Sequence, residues 1–303
     1  MKFDLISDFH VEFNVAFNTT RLWEGGDPIY YAWHNDRKSD ILVMAGDSAN
    51  SHEFARDVIV EASKFYKHVL FVDGNHDHYS NIVNGRTVLR DMEWFNGQFT
   101  HRNKIVDNVT YLDGENTFKV GKTLFIGVNG WYNFTFARGN TFKEQWRAWQ
   151  NNNNDSTCIR FGKKNKPHLL AMRQMNLLKN LVREAQDDDT VDEIVVVTHT
   201  LPTETAFGQF GNPSHPFFPL NGSFGNELMC GVWLADDAKK IKVWCFGHTH
   251  EQRDFFENDI HFMCNPRGYR AERKWHGMGF NGIKQIDTEE VDIKSAFGDV
   301  EDE

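Results

Sequence analysis

Histidine, aspartate and asparagine gather in five short clusters of this chain: Asp8-Phe9-His10, Gly46-Asp47, Gly74-Asn75-His76-Asp77, Thr198-His199 and Gly247-His248-Thr249-His250. Carboxylate oxygens and neutral imidazole nitrogens suit Mn, Fe or Zn ions. A carboxylate has two oxygens, so one Asp can bridge two cations. Two metals about 3.5–4 Å apart can clamp the attacking and leaving oxygens of a phosphoryl displacement. The single residue between Asp8 and His10, and between His248 and His250, puts each pair on a short extended segment or turn, from which both side chains can converge. Glycines before Asp47, Asn75 and His248 let the backbone bend tightly and keep bulk away from such a centre. Taken singly, each cluster has a bland explanation: Asp-x-His as surface polarity, a lone His as a cap, Gly-Asp as a turn. Their shared context is what points to metal chemistry.

That context is the end of a strand. Short apolar runs rich in β-branched and aromatic residues predict strands at Phe3–Ile6, Ile41–Ala45, His68–Val72, Ile194–Val197 and Lys242–Phe246. One polar cluster follows each of them directly. In α/β sheets the carboxyl ends of the strands are where ligand sites collect. Thr117–Val120 and Thr123–Val128 flank Gly121-Lys122 and read as a hairpin. Helical spacing joins Phe54, Val58, Ala62 and Phe65, and again Leu178, Leu181, Val182 and Ala185 in a segment that begins after Pro167. Strands alternating with helices indicate an α/β domain with a layered core.

The chain has 303 residues, 40% hydrophobic and 14% aromatic, which excludes a disordered protein. A formal net charge of −10 disfavours non-specific binding to nucleic acid. Cys158, Cys230, Cys245 and Cys264 form no CxxC pair and read as reduced, mostly buried thiols. Asp4 and Asp8 interrupt the N-terminal apolar run, and no stretch approaches the ~20 apolar residues of a membrane span. A cytoplasmic protein with no membrane partner is expected. One domain is expected over residues 1–303, with insertions near 13–38 and 133–166 and a frayed acidic tail over 287–303. The second insertion carries Arg138, Lys143, Arg147, Arg160, Lys163, Lys164 and Lys166, which read as a solvated basic surface ahead of a contact for a polyanionic substrate.

In order and spacing, the five clusters together resemble the calcineurin-like metallophosphoesterase superfamily, from residue 2 to roughly residue 270. Ser7-Asp8-Phe9-His10-Val11-Glu12-Phe13, Gly74-Asn75-His76-Asp77-His78-Tyr79 and Asn265-Pro266-Arg267-Gly268-Tyr269 are similar to a bacterial and phage branch of small phosphohydrolases. The resemblance implies a four-layer α/β/β/α sandwich of two mixed sheets with flanking helices and the metals at the strand ends. It implies one metal held by Asp8, His10 and His250, another by Asn75, His199 and His248, and Asp47 bridging them. It makes His76 the general acid or a phosphate-binding group, with Asp77 orienting it. Two divalent ions are expected, Mn first, with Fe or Zn open. The implied reaction is hydrolysis of a phosphomonoester or phosphodiester, in a phosphorylated small molecule or nucleotide, by hydroxide held between the metals. A nuclease acting on DNA or RNA, a protein phosphatase and a non-catalytic metal-binding scaffold are the alternatives. The chain departs from many relatives after Gly46-Asp47, where Ser48-Ala49-Asn50-Ser51-His52 lacks the arginine they place there.

Other residues carry lesser expectations. Asn265–Tyr269 reads as a structural turn, with Arg267 paired to a carboxylate. Trp131-Tyr132 reads equally as a wall of the site or as core. His215 reads as a surface residue, and His78 as near enough to His76 to line the pocket.

Overall fold

Alternation along the strands sets the layering. In the computed structural model, which describes residues 1–14, 37–79, 81–83, 86–88, 94–99, 105–136, 140–163, 165–269, 272 and 282–290, β1 is Lys2–Ile6, β2 Ile41–Ala45 and β3 His68–Val72. Phe3 and Leu5, then Ile41, Val43 and Ala45, then Leu70 and Val72 point into one buried cluster. Leu42, Met44, Val69 and Phe71 point to the other side, into a second cluster. Successive side chains on a strand take opposite faces, so strands buried on both sides must lie between two layers.

Two short strands, β4 (Asn81–Val83) and β5 (Arg86–Val88), form a separate ribbon. Then β6 (Val109–Tyr111) completes a sheet of order β13-β1-β2-β3-β6, in which β13 is Lys284–Asp287. The second sheet contains β7 (Phe118–Val120), β8 (Thr123–Gly127), β9 (Glu193–Val197), β10 (Ile241–Phe246), β11 (Arg253–Glu257) and β12 (Ile260–Cys264), in the order β11-β12-β10-β9-β8-β7. Each sheet is parallel inside, with antiparallel strands only at its edges. Val195, Val197, Val243, Cys245 and Met263 meet the first sheet's inner face in the shared cluster. Val196, Trp244, Phe246 and Phe262 face outward, onto the helix Pro167–Gln186.

Helix His52–Ala62 covers the outer face of the first sheet with Ala55, Val58, Ile59 and Ala62. It starts where the Ser51 hydroxyl accepts the Phe54 N–H at 3.2 Å, an N-cap of the ordinary kind. Pro167 sits in the first turn of the long helix, where its missing N–H costs nothing. Helix, sheet, sheet and helix make the expected four layers, with both parallel cores directing their carboxyl ends to one rim.

Three expectations on organisation fall differently. Most of 13–38, Arg138 and Lys164 in the second insertion, and the tail beyond Glu290 lie outside the described residues. In the second insertion, the helix Phe142–Asn152 opens with a capping box between Thr141 and Glu144, and Lys143, Arg147, Arg160 and Lys163 are exposed to solvent. None of the four cysteines is in a disulfide, and only Cys245 and Cys264 are buried.

Candidate metal centre

At the rim, these strands hand over polar side chains two to four residues past their ends. Asp8 and His10 follow β1, Asp47 follows β2, Asn75 follows β3, His199 follows β9, and His248 and His250 follow β10. Asp8, His10 and His199 are fully buried. Asp8, His10, Asp47 and His250 offer ligand atoms within 4.8 Å of one another, and Asp47, His199 and His248 do the same. Asp47 belongs to both groups. The Asn75 amide oxygen lies 3.0 Å from His199 Nε2, which places it with the second group. A third trio, His10, Glu12 and His76, shares His10 with the first.

The backbone bends hard to do this. Asp8 (φ 49°), His10 (42°), Asp47 (54°), His248 (80°) and His250 (57°) all take left-handed conformations. For a residue with a Cβ each costs roughly 1–2 kcal/mol. The neighbouring glycines permit close approach: a Cβ on Gly46 would collide with the His199 ring, and one on Gly74 with the Asp47 carboxylate. The atoms these glycines make room for are the candidate ligands themselves.

The imidazoles are held by their outer nitrogens. His199 Nδ1 donates to the Ala45 carbonyl at 3.0 Å, His248 Nε2 to the Ser223 carbonyl at 3.2 Å, and His250 Nδ1 to the Glu272 carboxylate at 2.6 Å. His10 Nδ1 faces the Glu12 carboxylate at 3.5 Å. The inner nitrogens then face each other: His10 Nε2 and His250 Nε2 are 2.9 Å apart, His199 Nε2 and His248 Nδ1 3.2 Å apart. In neutral rings with the outer nitrogen donating, both inner nitrogens present lone pairs. Two such pairs repel at that distance unless a cation, or in the metal-free state a proton such as that on His199, lies between them. This donor set, with carboxylates beside it and acceptors fixing the tautomers, fits divalent metal ions.

Burial sets the charge states. It pushes His248 down to about 3 and His10 well below its ordinary value, so both rings stay neutral. Burial works the same way on His199, but the Asp47 carboxylate outweighs it and the ring rises to about 10. Burial also lowers His76, against the pull of Asp47 and Asp155.

His76 stands at the edge of the group. Its backbone N–H donates to Asp47 Oδ1 at 2.8 Å and its ring stacks on Tyr79 with centroids 4.1 Å apart. Asp77 does not orient this ring. Its carboxylate accepts backbone N–H groups from Gly74 at 2.8 Å, Ala49 at 3.0 Å and Asp47 at 3.1 Å, tying the two loops together. The ring's Nδ1 instead meets the Asn50 amide oxygen at 2.5 Å, and its Nε2 lies 3.2 Å from the Tyr269 hydroxyl. His78 does not line the pocket: it is buried, with Nε2 2.6 Å from Asp73 and Nδ1 2.8 Å from His52.

The remaining expectations sort plainly. Trp131 and Tyr132 are core, almost wholly buried in an aromatic cluster with Phe134 and Trp149. His215 is partly exposed, packed on Phe210. The Arg267 and Gly268 N–H groups donate to the Ser7 and Asp8 carbonyls at 3.0 and 2.9 Å, so this segment runs beside the residues after β1 in a parallel bridge, in place of the expected turn. Arg267 is buried, with its charge near Glu12. Asn50, Tyr269, Glu272 and Asp155, which takes the Asn75 amide N–H at 2.9 Å, are residues that sequence reasoning missed.

A calcineurin-like phosphoesterase profile matches residues 1–252, and the chain belongs to that family. It is a metal-dependent hydrolase acting on phosphate esters. Across 304 residues it is 24% identical to uncharacterized protein L509 of Acanthamoeba polyphaga mimivirus, covering 94% of this chain and 96% of that one. Its fold matches the phosphopantetheinyl hydrolase PptH of Mycobacterium tuberculosis with a TM-score of 0.69 at 15% identity, over 94% of this chain and 95% of that one. Among the described residues no helix is long and apolar enough to cross a membrane.

Proposed function

We infer that the chain hydrolyses phosphomonoesters or phosphodiesters with two divalent cations, one held by Asp8, His10 and His250, the other by Asn75, His199 and His248, with Asp47 between them. The observation that carries this reading is the two pairs of facing imidazole nitrogens, 2.9 and 3.2 Å apart, on either side of one shared carboxylate. Two cations held there would lower the pKa of a bound water and offset charge on the phosphoryl oxygens. Mn is the expected metal, and Fe and Zn accept the same ligands.

The residues around the centre have distinct tasks. Asp47 turns Oδ2 toward both sides, 3.6 Å from His10 Nε2 and 3.3 Å from His199 Nε2, while Asp77 fixes its loop through the backbone. His76 gives a proton to the leaving oxygen, or holds the phosphate, from a ring positioned by Asn50 and Tyr269. The substrate is a phosphorylated small molecule or nucleotide, met in the cytoplasm by a chain that works as one unit over residues 1–303. The exposed Lys143, Arg147, Arg160 and Lys163 give a nuclease a foothold, and the net charge of −10 weighs against it.

The test sets p-nitrophenyl phosphate beside bis-p-nitrophenyl phosphate with Mn, and Asp47→Asn as control. Asp47→Asn is expected to lose most activity and bound metal, and wild-type turnover in that variant would sink the bridging role. A preference for the diester would direct substrate tests to cyclic nucleotides and oligonucleotides. A preference for the monoester would direct them to small phosphate esters.

A further inference from the structure

One buried carboxylate outside the five clusters sits against the second group of candidate ligands. Asp155 opens the short helix Asp155–Cys158 in the second insertion and is 1% exposed. Its Oδ1 accepts from Asn75 Nδ2 at 2.9 Å and from the Tyr79 hydroxyl at 2.8 Å. Its Oδ2 accepts from the Tyr132 hydroxyl at 2.7 Å, which itself accepts from Trp149 Nε1 at 2.6 Å. The Asp155 N–H donates to Asn153 Oδ1 at 2.8 Å. The carboxylate is thus fixed from helix Phe142–Asn152 on one side and from the residues after β8 on the other.

An asparagine amide presents an oxygen and an NH2 of nearly equal size, and only the oxygen can face a cation. Rotated by half a turn, Asn75 would aim two N–H donors at the metal. A carboxylate can only accept, so a carboxylate behind Asn75 selects the one rotamer that aims the oxygen forward. Hydrogen bonding to the group behind a ligand is also what commonly sets its affinity.

We propose that Asp155 is the positioning residue that holds the Asn75 amide oxygen toward the second cation, which makes the second insertion part of the metal centre. The inference rests on the two-cation reading. Through Tyr132 and Trp149, the helix Phe142–Asn152 then has a task at the centre although its charged residues point to solvent.

The experiment is calorimetric titration of the chelated and desalted protein with Mn, with the melting temperature of each variant measured alongside. Wild type is expected to bind two ions. Asp155→Asn should leave the affinity of the Asp8 side within about twofold and weaken the Asn75 side by about 10- to 100-fold. The exchanged pair Asn75→Asp with Asp155→Asn keeps the hydrogen bond with donor and acceptor swapped, and should recover most of that loss. A carboxylate needed only for folding would lower the melting temperature with no recovery on exchange, which would overturn the proposal. Should Asp155→Asn fail to fold, Tyr132→Phe keeps the ring and removes one donor, and should weaken the Asn75 side alone by about fivefold. Two ions in the wild type with an unchanged second affinity in the variants would overturn this inference and leave the two-cation reading standing. Fewer than two ions in the wild type would overturn both.

Discussion

His76 Nδ1 meets an amide oxygen, and that choice of partner has consequences for its proton. A carboxylate in the place of Asn50 would stabilise the charged ring, whereas an amide does so only weakly, and burial already lowers His76. Asn50→Asp should therefore raise the His76 pKa and keep the acid protonated to higher pH. The alkaline limb of the kcat profile is expected to move up by about one unit; a profile that stays put would show that His76 does not set that limb. His76→Gln should spare bound metal and slow esters with poor leaving groups about 100-fold, with a much smaller effect on p-nitrophenyl esters. Equal losses on both would remove the acid role. At this scale the sequence was readable where type and place coincide: the seven candidate ligands each follow a strand. It was mute on Asn50, Glu272 and Asp155, which are single polar residues with no period. Their partners lie 26, 22 and 80 residues away and are chosen by tertiary contact.

Among the elements, β2 and β3 fall where the apolar runs put them, because strands buried on both faces leave continuous hydrophobic stretches. The loops after them are less legible, since their shape depends on what comes close. Gly74 shows this. Nothing in its immediate sequence says that a methyl group there would meet the Asp47 carboxylate and backbone nitrogen. Gly74→Ala should cost about 3 kcal/mol, the upper range for overpacking, and displace Asp47. Gly121→Ala in the β7–β8 hairpin, with φ 58° and open space around it, should cost only about 1–2 kcal/mol from backbone strain. Urea unfolding of the two variants, read with their metal content, tests the contrast. If Gly121→Ala lost as much metal as Gly74→Ala, crowding of Asp47 would not be the cause.

For the whole molecule, the candidate ligands come from both sheets, so each cation of the proposed pair would tie one sheet to the other at a single rim. Chelation should therefore lower stability as well as activity. At free metal about 100 times its Kd, binding is worth about 2.7 kcal/mol per site, or roughly 4 °C in Tm per site for a chain of this size. An unchanged Tm on chelation would mean that the sheets do not depend on the metals. Uptake should also release protons: without metal, Asp47 holds His199 protonated up to about pH 10, and a ligand must shed that proton. Affinity should rise with pH from 7 to 9, by up to tenfold per unit, with proton release measured by calorimetry in buffers of different ionisation heat. The four-layer arrangement was legible from the sequence chiefly through the motif set, because strand order and sheet pairing are long-range choices that local periodicity does not encode.

Among the described residues, nine that are not glycine carry a positive φ, and five of them are Asp8, His10, Asp47, His248 and His250. A chain selected for stability alone would drift toward glycine at such places. Keeping bulky polar residues there is a standing preference for ligation over rest energy, written in the main chain. It follows that the centre is detectable without reading any side chain. Clustered left-handed, non-glycine residues at the ends of parallel strands would mark homologous rims even where the ligand letters have changed, and also in scaffolds that have since lost their metals.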